Sequence, residues 1–478
     1  MNTPDPAVHL AAVLHPILGP LVQRFADAGH ELALVGGPVR DALMGTLDLQ
    51  RSADLDMTTS AHPDEVLVLI EGYAEAVWTT GIEFGTVAMT HRGFQIEITT
   101  YRADRYNRIS RNPEVVFGNS ITDDLSRRDF TVTAMALSLV DGTFHDPYGG
   151  VRDLQEQVLR APSAPAESFA DDPLRIFRLV RFIAQLGFTA DPSTAAAARE
   201  MAGELSRITP ERLQGELSKL LLTPTPRAGL EAMVDLGIAD VVLPELSALR
   251  MEIDEHHQHK DVYAHSLTVL DQAIELEPRL GLDGPDLAVR LAALLHDIGK
   301  PATRRHETGG GVSFHHHEVV GAKMVRKRLR ALRYSKQVIA DVSQLTFLHL
   351  RFHGFSNGNW TDSAVRRYVT DAGDLLERLH ILVRSDCTTR NKRRAAQLAA
   401  AYDSLEQRIA EIREAEDLRA VRPDLDGNAI MEILGIPAGP QVGKAWKFLK
   451  ELRLDRGPLE HDEAVAELKA WATREGLS

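Results

Sequence analysis

The sequence predicts an α+β protein in which a small mixed β-sheet lies in the N-terminal third and helices form the remainder. Short apolar runs bounded by glycines and turn residues, typical of strands, occur before residue 140, whereas later apolar residues recur at helical spacing. At 478 residues the chain is too long for one compact core. We expect four domains: 1–160 with the sheet, then helical domains at 161–250, 251–400 and 401–478.

Composition narrows the classes of protein that the sequence can represent. The net charge of -14 excludes a surface that is basic throughout, although a local basic groove for RNA stays possible. The single cysteine, Cys387, excludes an intrachain disulfide and a thiolate zinc cluster. We find neither an eighteen-residue apolar span nor a basic-then-apolar leader, so we expect a cytoplasmic enzyme with no membrane partner.

The first elements predict a helix followed by an anion-binding turn. Apolar residues from Leu10 to Val22 recur at helical spacing and indicate a packing helix. The run Glu31–Val35 reads as a strand that ends at Gly36 and Gly37, and Val39–Met44 opens a helix. Such a turn exposes backbone N–H groups, which bind anions such as phosphate.

Two carboxylates on the next predicted strand indicate a metal site. Asp54 and Asp56 flank Leu55, so alternation places both carboxylates on one face, where hard oxygen ligands suit Mg²⁺. A lone Asp-x-Asp is more often an exposed polar strand end. Its coupling to a Gly-Gly turn favours a nucleoside triphosphate site.

A third carboxylate follows on a later strand. Helical spacing at 63–70 gives way to strand-like runs at 76–79, 86–90 and 95–100. Glu97 lies between Ile96 and Ile98 and faces away from them, so it either approaches the metal site or is an exposed strand glutamate.

Residues 101–129 form a long basic loop, with arginines at 102, 105, 108, 111, 127 and 128. Loops of this length are usually functional or disordered. The loop leads into an apolar run, 130–139, with three charged residues at its entrance. Arg127 and Arg128 can neutralise phosphates, and Asp129 can accept a ribose hydroxyl.

The motifs GGPVRD, DLD, RRDFTVTAMA and DPYGG occur in this order and resemble the head of the class II tRNA nucleotidyltransferase and poly(A) polymerase family. The resemblance implies that Asp54 and Asp56 bind catalytic Mg²⁺ with Glu97 as the third carboxylate. It also implies that Gly37 and Arg40 contact the triphosphate. The chain departs from the family at Thr133, where Asn is usual.

Residues 168–188 predict a helix with one basic side. Pro173 suits the first turn, and either Asp171 or Asp172 can cap it. Three arginines follow at intervals of three and repel one another unless an anion lies beside them; these are Arg175, Arg178 and Arg181. A solvated basic face is the other interpretation of this spacing.

The same stretch is similar to the family motif that serves as an amino-acid template for the incoming base. A carboxylate accepts from the exocyclic amine of cytosine or adenine, and a guanidinium donates to the adjacent ring acceptor. The resemblance therefore implies that Asp172 and Arg175 select CTP and ATP, while Arg178 and Arg181 hold the nucleotide. The family commonly has Glu where this chain has Asp171.

Histidines and aspartates in the third predicted domain suggest a second metal site. A lone histidine on an apolar helix is usually a satisfied core residue, but burying Asp297 beside His296 without a cation or donor costs several kcal/mol. The order His265, His296-Asp297, Asp386 resembles the HD phosphohydrolase superfamily. That resemblance implies further imidazoles from His317 and His349, with His353 as the alternative to His349.

Imidazole and carboxylate ligands suit Mn²⁺, Fe²⁺, Ni²⁺, Co²⁺ or Mg²⁺, so the sequence predicts a divalent transition metal or Mg²⁺. Such a site can hydrolyse phosphomonoesters or cyclic phosphodiesters. The alternative is a helical domain that keeps the ligands and only binds RNA. Basic helical segments at 321–337 and 443–452 are candidate contacts for tRNA phosphates or simply solvated faces.

Taken with the resemblance, these features predict a tRNA nucleotidyltransferase that adds CCA from CTP and ATP, with metal-dependent hydrolysis in the HD domain. Three alternatives stay open: a poly(A) polymerase, a partial CC- or A-adding enzyme, and a metal phosphohydrolase whose head senses nucleotides. The oligomeric state is not predicted.

Overall fold

The structure, a computed structural model, describes residues 4–49, 54–102, 117–118, 120–250, 261–308, 312–352, 360–389, 391–416 and 422–477. The arginines at 105, 108 and 111 and His353 lie outside these residues. The chain forms two compact units, Met1–Val242 and Leu243–Ser478. The finer division into four domains stays a prediction.

The first unit contains the expected mixed sheet. Its strands are β1 Leu32–Val35, β2 Asp54–Thr59, β3 Ala76–Trp78, β4 Thr86–His91, β5 Phe94–Thr100, β6 Ala136–Ser138 and β7 Phe144–His145. They lie in the order β3-β4-β5-β2-β1-β6-β7. Within this sheet, among the described residues, β2 and β5 pair in parallel and the other neighbours are antiparallel.

Helices α1 Asp5–Asp27, α2 Gly37–Leu43, α3 Pro63–Ile70 and α5 Gly150–Glu156 pack on one face of this sheet. Helix α4 Ile121–Ser126 lies on the other face, where its Leu125 packs against Ala33, Val35 and Ala136. Alternate residues of β2, β4 and β5 are buried, and they form one core with the apolar residues of α1 and α3. The opposite face of these strands is therefore left for polar side chains.

Helix α1 is long and apolar enough, by length and composition, to cross a membrane, and it is the one such helix among the described residues. The residues from Leu10 to Val22 predicted a packing helix here, and no eighteen-residue apolar span was expected. Leu14, Leu18 and Leu21 are fully buried in the core of the first unit. Core helices of globular domains can be equally long and apolar, because one apolar face packs against the domain.

The rest of the first unit is helical apart from a two-stranded pair. Its elements are β8 Val158–Leu159, α6 Pro165–Asp171, α7 Leu174–Leu186, β9 Thr189–Ala190, α8 Pro192–Glu200, α9 Pro210–Leu221, α10 Arg227–Asp235 and α11 Ile238–Val242. Helix α7 packs between α9 and α10. A Cβ at Gly229 on α10 would lie 2.5 Å from the carbonyl oxygen of Val180, so this close approach requires glycine.

The second unit is almost entirely helical. Its elements are α12 Pro244–Ser247, α13 Val262–Leu276, α14 Leu287–Leu295, α15 Lys300–Thr303, β10 Arg305–His306, β11 Val312–Ser313, α16 His317–Ala331, α17 Lys336–Leu348, α18 Asp362–Ala372, α19 Leu376–Ser385, α20 Lys392–Ala415, α21 Gly427–Leu434, α22 Pro440–Arg456 and α23 His461–Arg474. The last three helices share a small apolar core of their own.

Candidate functional site

Three carboxylates lie side by side on the open face of the sheet. Asp54 and Asp56 are exposed on β2, and Leu55 between them is buried, as alternation predicts. In the parallel pairing of β2 with β5, Asp56 lies directly opposite Glu97. Directly paired residues place their side chains on the same face, so the structure brings all three predicted carboxylates together.

The electrostatics of this group fit a divalent cation. Partial desolvation against the sheet raises the pKa of Asp56, and the charge of Asp54 adds to this effect although Arg128 opposes it. Desolvation and the neighbouring Asp56 likewise raise the pKa of Glu97. Crowded carboxylate oxygens of this kind are the ligands that Mg²⁺ uses, and a bound cation relieves their repulsion.

The Gly-Gly turn lies beside the carboxylates. Gly36 has a φ of 75°, and a Cβ there would lie 3.0 Å from Arg128 Nη1 and 3.6 Å from Asp56 Oδ2. The turn thus needs glycine both for its backbone angle and for the close approach. The predicted helix is present as α2, but it begins at Gly37, two residues before the predicted start at Val39.

Two other predicted triphosphate ligands have protein partners. Arg40 is buried, donates to Asp41 Oδ1 at 2.7 Å, and lies over the Phe182 ring at 5.4 Å. Arg127 accepts at its backbone carbonyl from Arg175 Nη2. The roles of both arginines toward a triphosphate stay predictions.

Asp129 is buried at the junction between the basic loop and α7. Its Oδ2 accepts from Arg178 Nε at 2.7 Å, and its Oδ1 accepts from the Thr133 hydroxyl and from the Phe130 N–H at 3.0 Å. Burial raises its pKa, but Arg178 and Thr133 outweigh that effect and hold the pKa at about 2. Thr133, where the family usually has Asn, therefore orients the Asp129 carboxylate.

This pKa leads to a prediction about stability. The pKa of Asp129 is depressed from 3.8 to about 2, so its contribution is present above pH 3.8 and is lost as the pH falls toward 2. Asp129→Asn is expected to lower the free energy of unfolding at pH 7 by about 2 kcal/mol, and by less at pH 3. Urea unfolding at both pH values measures this, with exposed Asp64→Asn as control; equal losses at both pH values would contradict it.

The predicted template residues lie at the start of α7. Asp172 precedes the helix, and its Oδ1 accepts from the Leu174 N–H at 3.2 Å. Arg175 donates to Ser168 Oγ at 2.8 Å, and Arg212 Nη2 on α9 donates to Asp172 Oδ2 at 2.9 Å. These contacts hold both predicted base-reading side chains in defined positions.

The three arginines of α7 share a side of the helix but have different partners. Arg178 pairs with Asp129, whereas Arg181 is buried and donates to Glu216 Oε2 at 2.5 Å. The anions that relieve their repulsion are thus protein carboxylates. Sequence reasoning missed Glu216 and Arg212 as supports of α7, although their spacing of four residues on an amphipathic helix indicated a shared face.

In the second unit, the six predicted HD ligands form two adjacent groups. The ligand atoms of His265, His296 and Asp386 lie within 4.8 Å of one another, and so do those of Asp297, His317 and His349. Asp297 links the groups: its Oδ2 lies 3.2 Å from His296 Nε2, and its Oδ1 lies 3.2 Å from His317 Nε2. This arrangement suits two neighbouring cations that share one carboxylate.

Backbone carbonyls orient three of these imidazoles. The Nδ1 atoms of His296, His317 and His349 lie 2.9, 2.8 and 2.6 Å from the carbonyl oxygens of Ala293, Phe314 and Thr346. A carbonyl oxygen can only accept, so each Nδ1 carries the proton and each Nε2 is turned toward the cluster. Hydrogen bonds of this kind fix the tautomer of metal-binding histidines.

Two observations test whether this cluster fits a metal. Among the described residues, His317 Nε2 and His349 Nε2 are buried and form no hydrogen bond, since their protons lie on Nδ1 and the nearby Asp297 Oδ1 can also only accept. Burial lowers the pKa of His349 to about 3, so its imidazole is neutral and can act as a ligand. The cluster therefore fits a divalent cation, and His349 occupies the position for which the sequence left His353 as the alternative.

Lys300 is a residue of this cluster that sequence reasoning missed. Its Nζ donates to Asp297 Oδ2 at 2.6 Å. The signal was its position three residues after Asp297, a spacing that places two side chains on one side of a helical turn. Lys300 balances the charge of the carboxylate that links the two groups.

The carboxylate group on the mixed sheet is typical of a nucleotidyltransferase. The histidine–aspartate cluster in the later helices is typical of an HD domain, so the class is a nucleotidyltransferase with an HD domain. Three protein-family profiles match the chain and agree with this class. "Poly A polymerase head domain" matches residues 32–160, "Probable RNA and SrmB- binding site of polymerase A" matches 187–249, and "HD domain" matches 262–406.

Similar proteins place the chain in its family. The A-adding tRNA nucleotidyltransferase of Deinococcus radiodurans is 33% identical over 92% of this chain and 95% of that protein. The CCA-adding enzyme of Levilactobacillus brevis is 40% identical, but the match spans 46% of this chain and only 53% of that enzyme. The chain therefore belongs to the tRNA nucleotidyltransferase and poly(A) polymerase family.

A solved structure shares the fold. The CCA-adding enzyme of Bacillus stearothermophilus in complex with CTP is 24% identical, has a TM-score of 0.69, and covers 97% of this chain and 99% of its own. The predicted α+β fold, with a small mixed sheet followed by helical domains, is confirmed.

Proposed function

We propose that the chain adds CCA to the 3′ end of tRNA from CTP and ATP, without a nucleic-acid template. The observation that carries this proposal is the carboxylate row of Asp54, Asp56 and Glu97 in the same unit as the braced Asp172–Arg175 pair. The first group suits nucleotidyl transfer, and the second suits selection of cytosine and adenine. Relatives named CCA-adding enzymes support the same substrates.

In this proposal Asp54, Asp56 and Glu97 hold Mg²⁺. The bound metal would activate the RNA 3′-hydroxyl and stabilise the charge on the leaving pyrophosphate. Arg128 lies beside Asp56 and Gly36, where its guanidinium can neutralise a phosphate. The turn at Gly36 and Gly37 admits the triphosphate close to the backbone.

Base choice is assigned to Asp172 and Arg175. The carboxylate accepts from the exocyclic amine that cytosine and adenine share, whereas uracil and guanine present a carbonyl oxygen there. With UTP or GTP, the Asp172 carboxylate and the carbonyl oxygen of the base would face each other as two acceptors with no proton to share, which disfavours both nucleotides. Arg212 and Ser168 keep the two side chains in place for this selection.

Removal of the guanidinium tests the assignment. Arg175→Ala is expected to reduce the preference for CTP over UTP by about 10- to 100-fold, because one bidentate contact provides about 1–3 kcal/mol of discrimination. Single-nucleotide incorporation and pyrophosphate release measure the choice of base separately from the chemistry. Exposed Arg207→Ala, whose partner is Glu204, is the control. An unchanged preference would remove Arg175 from the template.

An A-adding enzyme is the second candidate, because the relative that matches nearly the whole chain carries that name. The two functions separate with tRNA ending at the nucleotide before CCA and tRNA ending in CC, each with CTP, ATP or both. CCA addition requires CMP incorporation on the first RNA and AMP on the second. AMP on the CC-ending RNA alone indicates an A-adding enzyme, and long A tails indicate a poly(A) polymerase.

We further propose that the HD cluster is a metal-dependent phosphohydrolase for phosphomonoesters or cyclic phosphodiesters. Its six ligands would hold a divalent transition metal or Mg²⁺, which would polarise a phosphate and supply hydroxide. Buried Nε2 atoms turned toward the cluster favour metal-dependent chemistry over a domain that only binds RNA. Action on tRNA also favours the cytoplasm as the location of the protein.

A further inference from the structure

An exposed tryptophan lies on the carboxylate face of the sheet. Asp56 pairs with Glu97 on β5, Glu97 pairs with Ala88 on β4, and Ala88 pairs with Trp78 on β3. Because directly paired residues share a face, these four side chains form one row across the sheet. Trp78 ends this row on the edge strand and is 47% exposed.

This row forms a short strip of sheet surface, without bulky side chains between the carboxylates and Trp78, that an RNA strand could cross. Strands are about 4.8 Å apart, so Trp78 lies about 14 Å from Asp56 along the sheet. The residue between Glu97 and Trp78 is Ala88, whose small side chain leaves the surface open. At about 3.4 Å per stacked nucleotide, this distance corresponds to about four nucleotides, and to fewer in an extended strand.

The guanidinium of Arg102 lies near this strip of the sheet. Arg102 Nη2 donates to the Thr86 hydroxyl at 3.0 Å. Thr86 is two residues before Ala88 on β4 and therefore faces the same side. The guanidinium thus lies near the strip, where it can contact a phosphate of a strand that crosses the sheet.

We propose that Trp78 is a stacking platform for a base of the RNA acceptor, two to four nucleotides from its 3′ end. Single-stranded nucleic acids bind to protein surfaces that combine aromatic side chains with nearby positive charge, because every base has a face that stacks. The order Asp56, Glu97, Ala88, Trp78 directs the strand from the site of transfer toward the edge of the sheet. This inference rests on the proposed nucleotidyl transfer at the carboxylates.

Stacking makes a specific kinetic prediction. Trp78→Ala is expected to raise the KM for tRNA about tenfold or more, since base–aromatic stacking contributes about 1–3 kcal/mol by alanine substitution. The KM for CTP and the kcat at saturating tRNA are expected to change less than about twofold. Trp78→Phe should restore most of the affinity, because it keeps an aromatic face.

The same strand offers a matched control. Val77 is 42% exposed but alternates to the opposite face of β3. Val77→Ala is therefore expected to leave the KM for tRNA unchanged, whereas a general disturbance of the edge strand would affect both variants.

A binding experiment locates the base without relying on turnover. RNA carrying 2-aminopurine at one of the last five positions before the 3′ end is titrated with the full-length protein. Stacking on Trp78 quenches the fluorophore at one or two adjacent positions, and Trp78→Ala removes that quenching. Quenching that is the same in both proteins would overturn the proposal.

Two further outcomes are distinguishable. If wild-type protein adds no nucleotide to any tRNA while position-specific quenching depends on Trp78, the proposed function fails and the stacking platform stands. If Trp78→Ala changes the oligomeric state in gel filtration and leaves the KM for tRNA unchanged, the edge strand contacts another protein copy and the RNA platform is wrong.

Discussion

Asp56→Asn is expected to lower nucleotide addition by about a thousandfold or more. Asp56 lies between Asp54 and Glu97 on the open face of the sheet, so its loss removes the central oxygen ligand of the proposed Mg²⁺ site. A thousandfold corresponds to about 4 kcal/mol of transition-state stabilisation, within what metal coordination of a transferring phosphate provides. Incorporation of labelled CMP and AMP into tRNA measures the effect.

The same variant is expected to be at least as stable as wild type when Mg²⁺ is absent. The pKa of Asp56 is raised in the folded protein, so the ionised carboxylate destabilises the fold at neutral pH and a neutral amide does not. Thermal unfolding in EDTA at pH 7 tests this, with Asp64→Asn as control. Inactivity together with a lower Tm would indicate a folding defect instead of a lost ligand.

Asp297→Asn is expected to abolish both metal binding and hydrolysis at the HD cluster. Asp297 contacts imidazoles of both ligand groups. Changes to residues that only support a metal ligand commonly lower the affinity for the metal 10- to 100-fold, so loss of the shared ligand should lower it about a hundredfold or more. Metal content by elemental analysis and hydrolysis of a cyclic nucleotide measure it, with exposed Asp283→Asn as control.

Nucleotide addition is expected to continue in Asp297→Asn, because the carboxylates for transfer belong to the other compact unit. The reciprocal result is expected for Asp56→Asn, in which HD hydrolysis continues. If Asp297→Asn retained hydrolysis and metal, the cluster would not be the hydrolytic site. If Asp56→Asn retained transfer, the carboxylate row would not be the site of nucleotidyl transfer.

Local sequence patterns were sufficient to predict much of the structure of residues 1–160. Alternation placed Asp54 and Asp56 opposite Leu55, as in the structure, and the glycines marked the start of α2 to within two residues. Glu97 was ambiguous because alternation gives the face of a residue on its own strand but not the neighbouring strand. The parallel register of β2 and β5 joins residues about forty positions apart, and no local pattern encodes it.

The arginines of α7 show the same limit. Their spacing predicted one helix side that needs an anion, and the anions are Asp129 and Glu216, which come from distant parts of the chain. The order of the HD ligands was likewise readable, and the carbonyls that orient three of the imidazoles lie only three residues before them. Which imidazoles meet at Asp297 depends instead on how distant segments of the chain pack.

The sequence by itself determined the α+β class and the family, and it predicted the residues proposed for the chemistry, because periodicity and motif spacing are properties of neighbouring residues. Only the tertiary structure decided which groups meet: Glu97 beside Asp56, Thr133 on Asp129, Arg212 on Asp172, and Trp78 on the carboxylate face. Each of these contacts depends on strand register or helix packing, which are set by burial of the whole core and not by any one segment.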